Sequence, residues 1–148
     1  MVTAPGDPYD LERFVTAQAE RGTYERALAE LRDGRKHSHW IWFVFPQVQG
    51  LGRSATSRRY AVTCLAEARA YLAHPVLGPR LIECATILAE SADASATRIL
   101  GAVDAQKLHS SMTLFHRAEP DRAAFASVLD RFFDGVADPG TDDRLPVS

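Results

Sequence analysis

The chain has 148 residues and a formal net charge of −2, long enough to bury about two thirds of the surface its unfolded form exposes, so one domain with its own core is expected. With 46% hydrophobic and 24% charged residues the composition is globular, and the longest wholly apolar run, Ile41 to Pro46, is far shorter than the ~20 residues that cross a bilayer. The net charge argues against a general nucleic-acid binder, and two cysteines, Cys64 and Cys84, are too few for a disulfide framework or a cysteine zinc site and read as inert core thiols.

The first residues, MVTAPGDPYD, lack the basic and apolar regions of a secretory signal, so a cytoplasmic location is expected. Asp10 can cap a helix in which Leu11, Phe14, Val15 and Gln18 share a face, and Gly22 breaks it. A second helix places Tyr24, Ala27, Leu28 and Leu31 at i, i+3, i+4 and i+7, with Gly34 where a left-handed residue closes it. Trp40 to Phe45 is aromatic and partly β-branched, which favours a strand. A lone strand would leave its backbone unpaired, so an aromatic helix end stopped at Phe45-Pro46 is expected instead.

Ala61 to Ala73 carries Val62, Leu65, Ala68 and Leu72 at helical spacing until His74-Pro75, where the residue before proline leaves the helical region. Leu77, Leu81, Cys84, Ala85 and Leu88 begin another helix, with Pro79 tolerated in its first turn. Ser95 to Leu100 reads as a short helical turn closed by Gly101. Asp104 is placed to cap a helix that turns Leu108, Met112 and Phe115 inward, and Asp121 one that carries Phe125, Val128, Leu129 and Phe132 as far as Gly135. The expected fold is therefore all-α, a compact single domain over residues 7–135 of about six to eight short helices. A flexible Pro-, Gly- and Asp-rich tail is expected over residues 136–148.

The stretch "GRKHSHWIWFVFPQVQGLGRS", Gly34 to Ser54, sets two tryptophans and two phenylalanines among histidines, cations and glycines. In helical geometry it is apolar nearly all round, which makes it core first of all. Its polar company, His37, Ser38, His39 and Gln47, requires partners wherever it is drawn inside, at a cost of about 1–3 kcal/mol for each group left unpaired.

This block, with "DPYDLERFVTAQ", "EARAYLAHPVLGPRLIEC" and "DAQKLHSSMTLF", closely resembles the bacterial domain-of-unknown-function family 1810, some members of which are labelled calpastatin-like. The resemblance runs from Asp7 to Gly135 in four blocks and implies a compact all-α domain. It implies no reaction, and nothing here is like a long disordered protease inhibitor. The family's motif falls on His39, Trp40, Trp42, Phe45, Pro46, Gln47, Gly50, Gly52, Ser54, Lys107, Ser110, Ser111, Met112, Thr113 and Phe115. His37-Ser38-His39 departs from the usual arginine or lysine near its first position, and the loop at Asp93-Ala94-Ser95 is shorter than usual.

On the helix after Asp104, Lys107, Ser111 and Leu114 share a stripe with Ser110 beside it. Either the hydroxyls bond carbonyls one turn earlier and permit close packing, or they line a polar pocket. "QGLGRS" offers two glycines, Arg53 and Ser54 to an anion, but without the lysine and spacing of a P-loop. Lys107 and Ser111 lack the glycine elbow and oxyanion hole of a serine hydrolase, and His37, His39, His74, His109 and His116 lack metal-ligand spacing. No catalytic residue is identified, no metal or cofactor is implied, and whether the protein is an enzyme is left open.

The expected ligand set is Lys36, His39, Trp40, Trp42, Gln47, Arg53, Ser54, Lys107, Ser110 and Ser111, around a phosphate-bearing small molecule, a nucleotide or ADP-ribose-like compound. Small helical ADP-ribose-linked glycosidases of the NADAR type offer a fold-level analogy; an enzyme of that kind would cleave an N-glycosidic bond with a carboxylate. The alternative is a non-catalytic protein-interaction module docking through Arg35-Lys36 and Arg58-Arg59 to a partner of unknown identity. Neither a membrane nor a nucleic acid is expected as partner.

Overall fold

The computed structural model describes residues 6–145, and among them the periodic apolar segments are helices joined by short turns. The first, α1 (Glu12–Ala19), has its first amides held by Asp7 rather than by Asp10: the carboxylate of Asp7 accepts from the amides of Leu11 (2.7 Å) and Glu12 (3.1 Å). Asp10 itself takes a left-handed φ of 53°. After a 3-10 turn comes α2 (Thr23–Asp33), closed by Gly34 at φ 76° as its position predicts. The aromatic stretch supplies a single helical turn, α3 (Ile41–Val44), ending before Pro46.

The predicted helix over residues 61–73 starts later. A separate α4 (Ala55–Arg59) comes first, capped by Ser54, and α5 (Leu65–Ala73) follows, ending at His74. Between them Val62 pairs with Val48 in an isolated parallel bridge, the amide of Gln49 donating to Val62 O (2.9 Å) and that of Val62 to Gln47 O (2.8 Å). Both valines are buried, so the β-branched pair wins over helical continuation and ties off a loop of residues 49–61 at its base.

The rest is α6 (Leu77–Ala89), α7 (Ala96–Leu100), α8 (Ala102–Ala118) and α9 (Ala123–Phe133). Neither predicted aspartate cap forms. Asp104 lies inside the first turn of α8 and pairs with Lys36, and α9 begins after Arg122 with no side-chain cap. Packing puts α8 at the centre, against α5, α7 and α9, while α6 rests on α9, α5 and α2. The turn α3 touches α1, α6 and α8, so its aromatics lie where three helices meet. Trp40, Phe14, Phe45, Tyr71, Phe115 and Phe125 are fully buried there. Tyr71 meets Phe14 edge-on at 5.1 Å, a favoured aromatic geometry.

The expected loose tail is instead seated on the domain as far as Leu145. Residues Pro139–Arg144 form α10, packed on α8. Asp138 and Thr141 are buried, and Asp138 Oδ2 accepts from Ser110 Oγ (3.0 Å), Thr141 Oγ1 (2.6 Å) and the Thr141 amide (3.2 Å). Its own amide donates to Thr113 Oγ1 (2.9 Å). The tail's composition hid this because the anchoring is polar, not apolar. Residues 146–148 lie outside the described residues.

Burial works against ionising Asp138, but the bonds from Thr141 and Ser110 outweigh it and hold the carboxyl below its ordinary range. Asp138→Ala is expected to cost about 2 kcal/mol in a urea titration, since it removes a helix cap and takes from the buried Ser110 and Thr141 hydroxyls their charged acceptor.

Candidate functional site

Where α3, α4 and α8 approach one another, Trp42, Phe45, Gln47, Ser57, Tyr60 and Lys107 line a small recess. Its cavity is about 10 Å³, room for one water. Trp42 comes from α3 and Gln47 from the turn set by Pro46. Ser57 and Tyr60 come from α4 and its end, and Lys107 from the second turn of α8. Tyr60 is fixed from behind by aromatic contact with Phe43 at 4.7 Å and Phe14 at 5.7 Å.

Two polar atoms here are unusual. The indole Nε1 of Trp42 is buried and has no acceptor among the described residues. Ser111, one turn beyond Lys107 on α8, is fully buried, and its hydroxyl likewise has no partner among them. No carboxylate of the described residues lies within ion-pair distance of Lys107. A buried donor left unmade costs about 1–3 kcal/mol, so folding alone gives no reason to keep these groups.

Of the ten residues expected to hold a ligand, Trp42, Gln47 and Lys107 meet in the recess, and Ser111 follows Lys107 on the same helix stripe. Trp40 does not join them. It is sealed in the core, and its Nε1 donates to Glu30 Oε1 at 2.9 Å. Lys36 is not a free charge either: its ammonium, almost wholly buried, pairs with Asp104 Oδ2 at 2.7 Å, donates to the Ser38 carbonyl and lies 5.0 Å from the Trp40 ring. That also removes Lys36 from the exposed patch expected to dock a protein.

Ser110 is turned to Asp138 and to the Gln106 carbonyl (3.1 Å), and Thr113 bonds the His109 carbonyl (2.9 Å), so back-bonding accounts for both. Ser54 is occupied as the cap of α4, accepting from the Ser57 amide at 3.1 Å. His39 and Arg53 are exposed and line no part of the recess. The one cavity expected around Trp40, Gln47, Lys107 and Ser110 is therefore not formed.

Ser57 and Tyr60 are the lining residues that sequence reasoning missed. The available signals were Ser57 three residues after a capping serine and an aromatic closing the Arg58-Arg59 run. Of the cysteines, Cys84 is buried as expected while Cys64 is half-exposed at the start of α5. Among the described residues no group of three His, Cys, Asp or Glu is placed to hold a metal ion.

The model of the family described as "Protein of unknown function (DUF1810)" matches residues 8–145. The chain belongs to this family. The resemblance carried by the aromatic block and by "DAQKLHSSMTLF" is thereby shown, and so is the all-α fold. A solved member-like structure, the conserved hypothetical protein Rv1873 from Mycobacterium tuberculosis, is 46% identical, with a TM-score of 0.92 over 96% of this chain and 100% of that one. No curated protein matches the chain.

Proposed function

We propose that the family fold here serves as a binding domain for a phosphate-bearing small molecule of nucleotide or ADP-ribose type, held at the recess between α3 and α8. The observation that supports it best is the unpartnered Trp42 Nε1, a buried donor in the same wall as an unpaired ammonium. Lys107 would meet the ligand's negative charge, Gln47 would orient a polar edge, and the Trp42 ring would stack on its base. A ring enters only if the loop of residues 49–61, which carries Ser57 and Tyr60, lifts from Trp42. That loop is pinned at its base by the Val48–Val62 bridge, and most of α4 is exposed.

A thermal-shift screen of nucleotides, ADP-ribose and NAD tests this. A ligand at a hundredfold over its Kd adds about 2.7 kcal/mol, which raises the Tm by several degrees. Lys107→Ala is expected to abolish that rise while leaving the Tm of the free protein within a degree or two, because a half-buried unpaired lysine contributes little to stability. No rise with any of these ligands would defeat the reading.

The second reading, a non-catalytic interaction module, draws on the exposed guanidinium groups of Arg58 and Arg59, which have no carboxylate partner among the described residues. It would be favoured by a protein that co-purifies while the nucleotides leave the Tm unchanged. Both readings take the protein as cytoplasmic. Among the described residues no helix is long and apolar enough to cross a membrane.

A further inference from the structure

On the other side of Ser57 from the recess lies a larger groove of about 530 Å³, lined by Gln49, Gly50, Gly52, Arg58, Ala61 and Thr63. One wall carries no side chain, and cannot. Gly50 has a left-handed φ of 94°, and a Cβ there would stand 2.9 Å from Arg144 Nε; a Cβ on Gly52 would stand 2.3 Å from Ser57 Cβ. The bare backbone leaves donors: the amides of Gly50, Gly52 and Arg53 have no acceptor among the described residues, while that of Leu51 closes the turn over Gln49 and Gly50.

The unpaired charge around these amides is positive, since Glu67, which accepts from the lining Thr63, is held by Arg13. Arg58 and Arg53 are exposed, with no carboxylate partner among the described residues, and the Arg144 guanidinium beside Gly50 bonds only the Gly140 carbonyl, at 3.0 Å. Residues 34–66 contain no Asp or Glu. On α10, Asp142 is already held by Arg117 through two bonds of 3.0 Å. Free amides on glycines that line a groove, with guanidinium groups beside them, are the chemistry that recognises a phosphoryl anion: its several oxygens accept from the amides while an arginine bonds it in a fork.

We propose that this groove is a phosphate-binding subsite, separate from the Lys107 recess, in which the amides of Gly50, Gly52 and Arg53 and the side chain of Arg58 hold the oxygens of a phosphoryl or diphosphoryl group. The subsite stands on its own. That one molecule fills both cavities, its diphosphate in the groove and its ring toward Trp42, rests on the reading given above and is supported by Ser57, which touches Gly52 and lines the recess.

The test is calorimetric titration of the full chain with inorganic pyrophosphate at fixed ionic strength. Wild type is expected to bind it, and Arg58→Gln to bind it about tenfold more weakly, with the Tm unchanged because Arg58 is exposed. Arg35→Gln removes an exposed cation from a surface groove elsewhere, between the ends of α2 and α6, and is expected to weaken binding less than about twofold, since distant exposed charges are screened. No binding to wild type, binding untouched by Arg58→Gln, or equal weakening by both variants overturns the subsite. Pyrophosphate has no ring to reach Trp42, so the result is independent of whether ADP-ribose or Lys107→Ala behaves as expected.

Discussion

Arg13→Ala is expected to lower the unfolding free energy by about 3–5 kcal/mol, the cost of stripping a buried charge of its partner. The guanidinium makes five bonds: Nη1 to the carbonyls of Tyr9 (2.6 Å) and Asp10 (2.9 Å), Nε to Arg59 O (2.9 Å), and Nη2 to Ala61 O (2.8 Å) and Glu67 Oε2 (3.0 Å). Every N–H it owns is used. Glu67 is 1% exposed and also accepts from the Thr63 amide (3.0 Å) and hydroxyl (2.8 Å). With Arg13 gone this carboxylate stays buried with its charge unpaired, keeping only the two bonds from Thr63.

Arg13→Lys should recover less than about half of the loss, because a single ammonium cannot reproduce the planar fork. Adding Glu67→Gln to Arg13→Ala should restore part of it, because the orphaned charge is then absent. Urea titrations of the three variants decide this; a loss below about 1 kcal/mol for Arg13→Ala would place the pair among ordinary surface bridges. The clamp also bears on the site. By holding the carbonyls of Arg59 and Ala61 it fixes the outgoing end of the loop over residues 49–61, and with it Tyr60. In the surface hollow over Arg13, lined by Tyr9, Asp10, Arg59 and Glu67 among others, Arg13 itself has no donor left to offer a ligand.

The helices were legible because their periodicity and stops are local. Gly34 and His74-Pro75 end α2 and α5 where their backbone preferences say they must. What failed were choices among similar residues that only tertiary partners decide. Asp10 and Asp104 each stood where a cap belongs, but Asp7 captured the first helix and Lys36 captured Asp104. The aromatic block was rightly read as core, yet which indole would be sealed could not be told from spacing. Trp40 is the buried one because an acid ten residues earlier supplies its acceptor, while Trp42 has no such acid. Lys36 and Lys107 looked alike in sequence for the same reason, and only the fold assigned one to Asp104 and left the other unpaired. Polar anchoring was invisible altogether, as α10 shows.

That acid, Glu30, carries the last expectation. It is 8% exposed and accepts four bonds: from the amides of His37 (2.8 Å) and Ser38 (2.9 Å), the Ser38 hydroxyl (2.7 Å) and Trp40 Nε1 (2.9 Å). Burial alone would raise its pKa, but the bonds from Ser38, His37 and Trp40 outweigh it and hold the carboxyl at about 2, against an ordinary 4.5. A depressed folded-state pKa means the carboxylate stabilises the fold fully above the unfolded value and loses that contribution as pH falls from about 4.5 through about 2. The amount is about 3 kcal/mol, at 1.36 kcal/mol for each pH unit between the two values.

Glu30→Gln replaces two acceptor oxygens with one and sets an NH₂ against donors, and should cost about 2–3 kcal/mol at neutral pH. Because Gln does not titrate, the gap between wild type and variant should narrow as pH falls from 4.5 towards 2. The difference between the two stability curves removes the contributions of other depressed acids such as Asp138. Parallel curves over that range would show that the carboxylate is not what fixes the turn from His37 to Trp40. A narrowing gap would show that the charge on Glu30 keeps Trp40 in the core, and so leaves the ring in the wall of the recess to Trp42.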